Sequence, residues 1–545
     1  MTWLHLCAFP LVLALAAPAA SQEHEHAGMA AEKLGTVHFT SSCSMGAQPQ
    51  FDRALALMHS FEFGAAIDGY TAAAKTDAGC AIAYWGIAIS RWGNPFAAIQ
   101  RGPAQLQQGL DAIARATEAG PKTDRERGYV AAAEQLYARA DTVSQRDRVV
   151  AYEHAMAELS AKYPEDREAS IFYALSLAAS ALPSDKTYAN QLKAGAILEK
   201  ILVEEPDHPG ITHYIIHSYD VPPLAPRAVT AARRYGSIAP SAPHALHMPS
   251  HTFTRVGFWQ ESIETNILSA AAARREHTVG EELHATDYQM YAYLQTAQDA
   301  AARRVLDSLT EIVARGQSNA VQGAAPPSVN AFALAAIPAR YALERQAWAE
   351  AAALPILPGG LPYTDAMTHF ARALGASHQK DVAAAKASVE ALERLRDKLT
   401  QMNDTYWAEQ VEIERRGAAA WTALAEGRNA DALSLMRSAA EVEDGTEKNA
   451  VTPGPLAPAR ELLGEMLMQT HEPALALEEF QATLKKEPNR FRAVYGAAHA
   501  AQLAGDRAAA KTYYEQLLKI CVKADQPGRA ELAEARANAA KPSAQ

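Results

Sequence analysis

Along most of the chain apolar residues recur every three or four positions, with small residues set between them. No stretch alternates polar and apolar positions long enough to form a strand. The pattern predicts helices throughout, arranged in consecutive pairs. Leu463, Gly464 and Leu467 fall on one helix and Ala476 and Phe480 on the next, with Pro488 closing the unit; Ala510 and Tyr514 repeat Ala476 and Phe480 34 residues later. Upstream, Ala66, Tyr70 and Ala73 follow Phe61-Glu62-Phe63, and Tyr84, Trp85 and Gly86 start another pair. In the centre, Ala194, Leu198 and Pro206 close one unit and Ala228 and Pro240 the next, again with a 34-residue offset. That period belongs to stacked helix–turn–helix units, each burying its apolar face against its neighbours.

Composition agrees with closely packed helices: 49% of the 545 residues are hydrophobic but only 7% aromatic. A net charge of −11 and the lack of any Lys/Arg-rich run exclude a nucleic-acid partner. Residues Leu11 to Ala20 are apolar and lead into small residues, so 1–21 reads as a signal peptide and the mature protein as exported and periplasmic. No later apolar run of about 20 residues suits a membrane span. Residues 22–42 read as a mobile segment containing Glu23, His24, Glu25 and His26. With cleavage just before Gln22, His24 and the terminal amine make a square-planar copper or nickel site; otherwise the segment is a solvated tail. An oxidising compartment favours a Cys43–Cys80 disulfide and leaves Cys521 as a core thiol.

The repeat pattern divides the rest into an array over 43–320, an irregular Pro/Gly-rich connection over 321–362, a second array over 363–530 and a tail over 531–545. Two His-x-x-x-His pairs stand in the first array, His213 with His217 and His247 with His251, offset by 34 residues. A helix puts residues four apart on one face, so equal offsets bring four imidazoles together on one surface. Pro249 either kinks the helix between His247 and His251 or starts a new one there.

The unit pattern of Leu-Gly on the first helix, Ala and an aromatic on the second, and a closing Pro resembles the tetratricopeptide repeat. That resemblance implies an all-α helical-repeat solenoid, a right-handed superhelix of antiparallel helix pairs whose first helices line a concave groove. Its ligand-facing positions map onto His213, His217, His244, His247, His251, His284 and Asp287. They also include His59, Trp85, Trp92 and Tyr291, although packing between helices is the favoured reading for the two tryptophans. The segments Ser42-Cys43-Ser44, Ala83-Tyr84-Trp85-Gly86, His213-Tyr-Ile-Ile-His217 and Ala245-Leu-His-Met-Pro-Ser-His251 are similar to a group of exported bacterial proteins of that family, which brings no activity with it.

Imidazole is a common transition-metal ligand. A mononuclear site of His217 and His251 with one or two of His213, His247, His284 and Asp287 is expected to take Zn, Cu or Fe. Motifs for nucleophilic, phosphate or dinucleotide chemistry are missing, which leans away from an enzyme. The leading expectation is a helical-repeat binding protein whose groove recognises a peptide or protein, with the histidines as a ligand or metal site. A metal-handling protein or metalloenzyme is the alternative, and a scaffold with incidental histidines the third reading.

Overall fold

Helix starts are set by short-range chemistry. Thr123, Ser144, Asp166, Asp381, Asp404 and Asp506 each accept a backbone N–H three residues on, satisfying a donor the first turn leaves free. Pro103, Pro209, Pro243 and Pro473 sit at first-turn positions where no N–H is needed. A computed structural model describes residues 32–97, 100–316, 323–325 and 328–540. Among them every regular element is a helix. The helical-repeat solenoid expected from the 34-residue pattern is the architecture observed.

The repeat works through its small residues. Ala66, Ala194, Ala228, Ser262, Ala302 and Ala476 are all fully buried on second helices, where a larger side chain would hold the neighbouring helix off. Phe480 fills the space left by two glycines; a Cβ on Gly464 would lie 2.8 Å from its ring. The signal peptide and the terminal site at His24 lie outside the described residues.

Three boundaries differ from expectation. Residues 33–42 are packed rather than loose: Leu34 and Phe39 are buried, and the Phe39 ring lies 5.1 Å from Phe51 and 5.3 Å from Tyr129 between centroids. The interval 321–362 is not an irregular connection. It contains helices Ser328–Glu344 and Trp348–Ala352, and Pro338 is accommodated inside the first of them. The presumed tail carries helix Ala530–Ala539, whose Leu532 and Ala535 are buried. In each case an apolar face with a partner outweighed the local Pro, Gly or polar composition. Residues from Lys33 onward form one compact unit. The Cys43–Cys80 disulfide joins the approach to helix Gln48–His59 with the start of helix Ala81–Trp92, its Cα atoms 4.6 Å apart.

The later helices close onto the middle of the chain. Trp259 Nε1 donates to the carbonyl of Asn489 at 2.8 Å, Asn489 Nδ2 donates to the carbonyl of Gly257 at 3.1 Å, and Arg529 pairs with Asp299 at 2.6 Å. Arg490, buried, donates to Glu344 and Glu461 at 2.8 Å and to the Tyr291 hydroxyl at 3.0 Å. These contacts bring the loop from Glu447 to Pro455 over the histidine-bearing helices.

Candidate metal centre

Four helices supply six histidines. Helix Pro209–Ser218 carries His213 and His217, helix Pro243–His247 carries His244 and His247, helix Pro249–Val256 carries His251, and helix Val279–Gln295 carries His284. Pro249 opens a new helix after Met248, the second of the two outcomes its position allowed. The break leaves His247 and His251 in reach of each other, with ring centroids 5.0 Å apart.

The rings sort into two triads, His213, His217 and His244 in one and His247, His251 and His284 in the other. Within each, one nitrogen per ring lies within 4.8 Å of the others. The triads adjoin: His217 and His251 are 6.2 Å apart between centroids, and His244 and His247 are 6.1 Å apart. The expected open groove is not where these side chains lie. His213, His244, His247, His251 and His284 are all buried, none more than 6% exposed. Phe96 stacks on His217 at 4.0 Å, and Tyr288 packs against His247 at 4.7 Å.

Hydrogen bonding fixes the tautomers at the closest pair. The Asn266 amide nitrogen donates to the carbonyl of Ser262 at 2.7 Å, which turns its Oδ1 toward His247 Nδ1, also at 2.7 Å. His247 Nδ1 is therefore the donor. His251 Nδ1 faces Asp220 Oδ2 at 3.0 Å. Burial works to raise the Asp220 pKa, but Lys448 and Arg255 outweigh it and hold the carboxyl well below its ordinary range. As an anion Asp220 only accepts, so His251 Nδ1 donates as well. Both Nε2 atoms then present lone pairs to each other across 3.1 Å. Two acceptors at that distance repel unless a cation lies between them. Burial, with His284 and His251 nearby, pushes the His247 pKa well below its ordinary value, which disfavours a proton. Two imidazole nitrogens on one tetrahedral ion, each bonded at ~2.0–2.1 Å, stand roughly 3.3 Å apart. The observed spacing fits that arrangement.

Around the triad, Asp220 also accepts from Arg255 Nε at 2.8 Å and lies 3.5 Å from Lys448 Nζ. The Tyr288 hydroxyl donates to the carbonyl of Thr452 at 3.2 Å and lies 3.4 Å from His251 Nε2. Lys448 and Arg255 also line a cavity of about 100 Å³ with Trp407, Glu414 and Glu443.

Other predicted positions have different roles. Asp287 is held by Arg340 Nε at 3.0 Å and belongs to neither triad. Trp85 is fully buried, 5.1 Å from Tyr129 and 5.3 Å from Phe172; it is a core residue, not a groove one. Trp92 is also buried, edge-on to Tyr137 with the Arg101 guanidinium 4.8 Å from its centroid. Tyr291 is buried against Arg490. His59 joins a separate group, with its Nε2 2.9 Å from one oxygen of Glu168 while His208 Nε2 is 3.0 Å from the other. Those bonds lock helix Arg167–Ser180 to helix Gln48–His59.

Several site residues escaped the sequence reading. Asp220 follows His217 by three, Arg255 follows His251 by four and Tyr288 follows His284 by four, the spacing of helical neighbours. Nothing local marks Lys448, Asn266 or Glu168.

Fold and site together define a helical-repeat protein with two adjoining histidine triads in its interior. No family model matches the chain, and no curated protein matches it. Among solved structures it is similar to a human IFIT1 dimer with m7Gppp-AAAA at 11% identity, over 88% of this chain and 96% of that one, with a TM-score of 0.37. It is also similar to the APC/C hetero-tetramer Cut9-Hcn1 at 12% identity, over 92% and 78%, with a TM-score of 0.37. With Naa15/Naa10 bound to HypK-THB the identity is 12%, over 90% and 73%, with a TM-score of 0.24. No activity is carried over from likenesses this distant.

Proposed function

We propose that this chain binds a transition-metal ion inside its helical-repeat shell, through His247, His251 and His284. The observation that carries the reading is the approach of His247 Nε2 and His251 Nε2 to 3.1 Å, with both Nδ1 atoms already committed as donors. Asp220 and Asn266 then serve as the outer hydrogen-bond partners that orient metal-ligating imidazoles. Zn and Cu suit such nitrogen donors, and Fe does so with added oxygen ligands. Burial of all three ligands favours a resident ion over one passed rapidly to a client. It also takes these histidines out of reach of a peptide lying in an open groove.

The test is metal content by mass spectrometry of untagged protein, beside a His247→Ala/His251→Ala variant whose helical circular dichroism is checked. About one ion per chain bound at this triad, lost in the variant, is the expected result. Wild-type protein that takes up no Zn, Cu or Fe under saturating conditions overturns the reading.

We further infer that the protein works in an oxidising compartment after export, which the Cys43–Cys80 disulfide supports. Cell fractionation with terminal sequencing of the mature chain tests this. A reduced, uncleaved cytoplasmic protein refutes it.

A further inference from the structure

The other triad has its own evidence for a ligand. His213 Nδ1 lies 2.6 Å from the carbonyl of His59, an acceptor, so Nδ1 carries the proton and Nε2 presents a lone pair. That Nε2 is buried without a hydrogen-bond partner among the described residues. The same holds for His217 Nε2 and for both ring nitrogens of His244. Buried polar atoms are ordinarily satisfied, yet here four nitrogens on three adjoining rings are not. His213 is fully buried and His244 is 3% exposed. Nearby protein groups do not supply the missing partners: Phe61 packs against His213 at 4.4 Å and His217 at 5.6 Å, and Tyr235 stacks on His213 at 5.2 Å.

Two carboxyl groups stand at the rim. Glu62 Oε1 accepts the backbone N–H of His244 at 3.3 Å, and Glu281 Oε2 lies 3.9 Å from His244 Nδ1. Both carboxyls are buried. A divalent ion between the three imidazoles satisfies the lone pairs that the protein leaves unpartnered.

We propose that His213, His217 and His244 hold a second transition-metal ion, and that the two triads make one dinuclear centre of six histidines. The proposal rests on the metal reading of His247, His251 and His284 and extends it. Facing rings of the two triads lie 6.1 and 6.2 Å apart between centroids, so the triads adjoin; paired ions in two-metal sites stand about 3.5–4 Å apart. Two neutral triads of this kind suit a pair of Cu(II) or Zn(II) ions.

The experiment uses the full chain loaded with Cu(II), with metal counted by mass spectrometry and spins counted by electron paramagnetic resonance. Three proteins are compared: wild type, His213→Ala/His244→Ala and His247→Ala/His251→Ala, each with its helical content verified. His213→Gln/His244→Gln replaces the first variant if the alanine version does not fold. Wild type is expected to bind two ions with a spin count well below two, because neighbouring Cu(II) ions couple. Each variant is expected to keep one ion with a full, isolated signal. One ion in wild type that survives loss of His213 and His244 overturns the second site and leaves the first intact. Two ions with two full, uncoupled spins overturn the dinuclear arrangement. No ion in wild type removes this proposal together with the one it rests on.

Discussion

Asp220 Oδ2 lies 3.0 Å from His251 Nδ1, while the other oxygen of the same carboxylate accepts from Arg255 Nε at 2.8 Å. One acidic side chain thus sets the tautomer of His251 and anchors a buried guanidinium. Asp220→Asn removes the charge that holds His251 Nδ1–H in place. The expected result is a loss of about 10–100-fold in metal affinity, read by competition with a chromophoric chelator. Unchanged affinity shows that His251 is not a ligand.

Arg490 is one of the cations that tie the later helices to the middle of the chain. Removing it as Arg490→Met leaves Glu344 and Glu461 buried without their counter-charge, a change that costs about 3–5 kcal/mol when one partner of a buried ion pair is deleted. Denaturant unfolding measures it. Arg490→Lys is expected to recover only part of the loss, since an ammonium lacks the planar fork that reaches two carboxylates and the Tyr291 hydroxyl together.

The Cys43–Cys80 disulfide spans a sequence separation of 37. Closing a loop of that length restricts the unfolded chain and stabilises the fold by about 2–4 kcal/mol. A Cys43→Ser/Cys80→Ser variant is expected to unfold at a lower denaturant concentration, and a reductant to lower the wild-type midpoint toward that of the variant. Coincident transitions for the oxidised and reduced protein refute this.

Burial raises the Glu414 pKa to about 8, with Glu443 adding to the shift, and raises that of Glu443 to about 7, both from an ordinary value of 4.5. A carboxyl that holds its proton more tightly folded than unfolded contributes its full stability below pH 4.5. That contribution is lost as pH rises through 7 to 8, because the unfolded chain releases its proton first. The part of the stability carried by Glu414 and Glu443 therefore declines between pH 5 and 8. Glu414→Gln, which stays neutral, should flatten that decline. Parallel pH profiles of the two proteins disprove the assignment.

Much of the fold was legible because helix formation and repeat stacking depend on neighbours close in sequence. Buried small residues recur at 34-residue offsets, Ala194, Ala228 and Ser262 in one run and Ala476 and Ala510 in another. The interval 321–362 was misread for the complementary reason: its prolines and glycines signal breaks locally, whereas helix Ser328–Glu344 is held by buried Phe332, Ala336 and Ile337 against other helices. Residues 33–42 look polar and loose, yet Phe39 among them enters the core.

By itself the amino-acid sequence determined an all-helical repeat and the two His-x-x-x-His pairs one period apart, because both follow from spacing along a helix. Only the tertiary structure decided that these histidines face the interior, that His244 completes one triad and His284 the other, and that Asp287 is taken by Arg340. It also brought in Lys448, 228 residues from Asp220. Long-range closure places such partners, and no local pattern of residues records which distant side chain will arrive when the later helices pack back over the site.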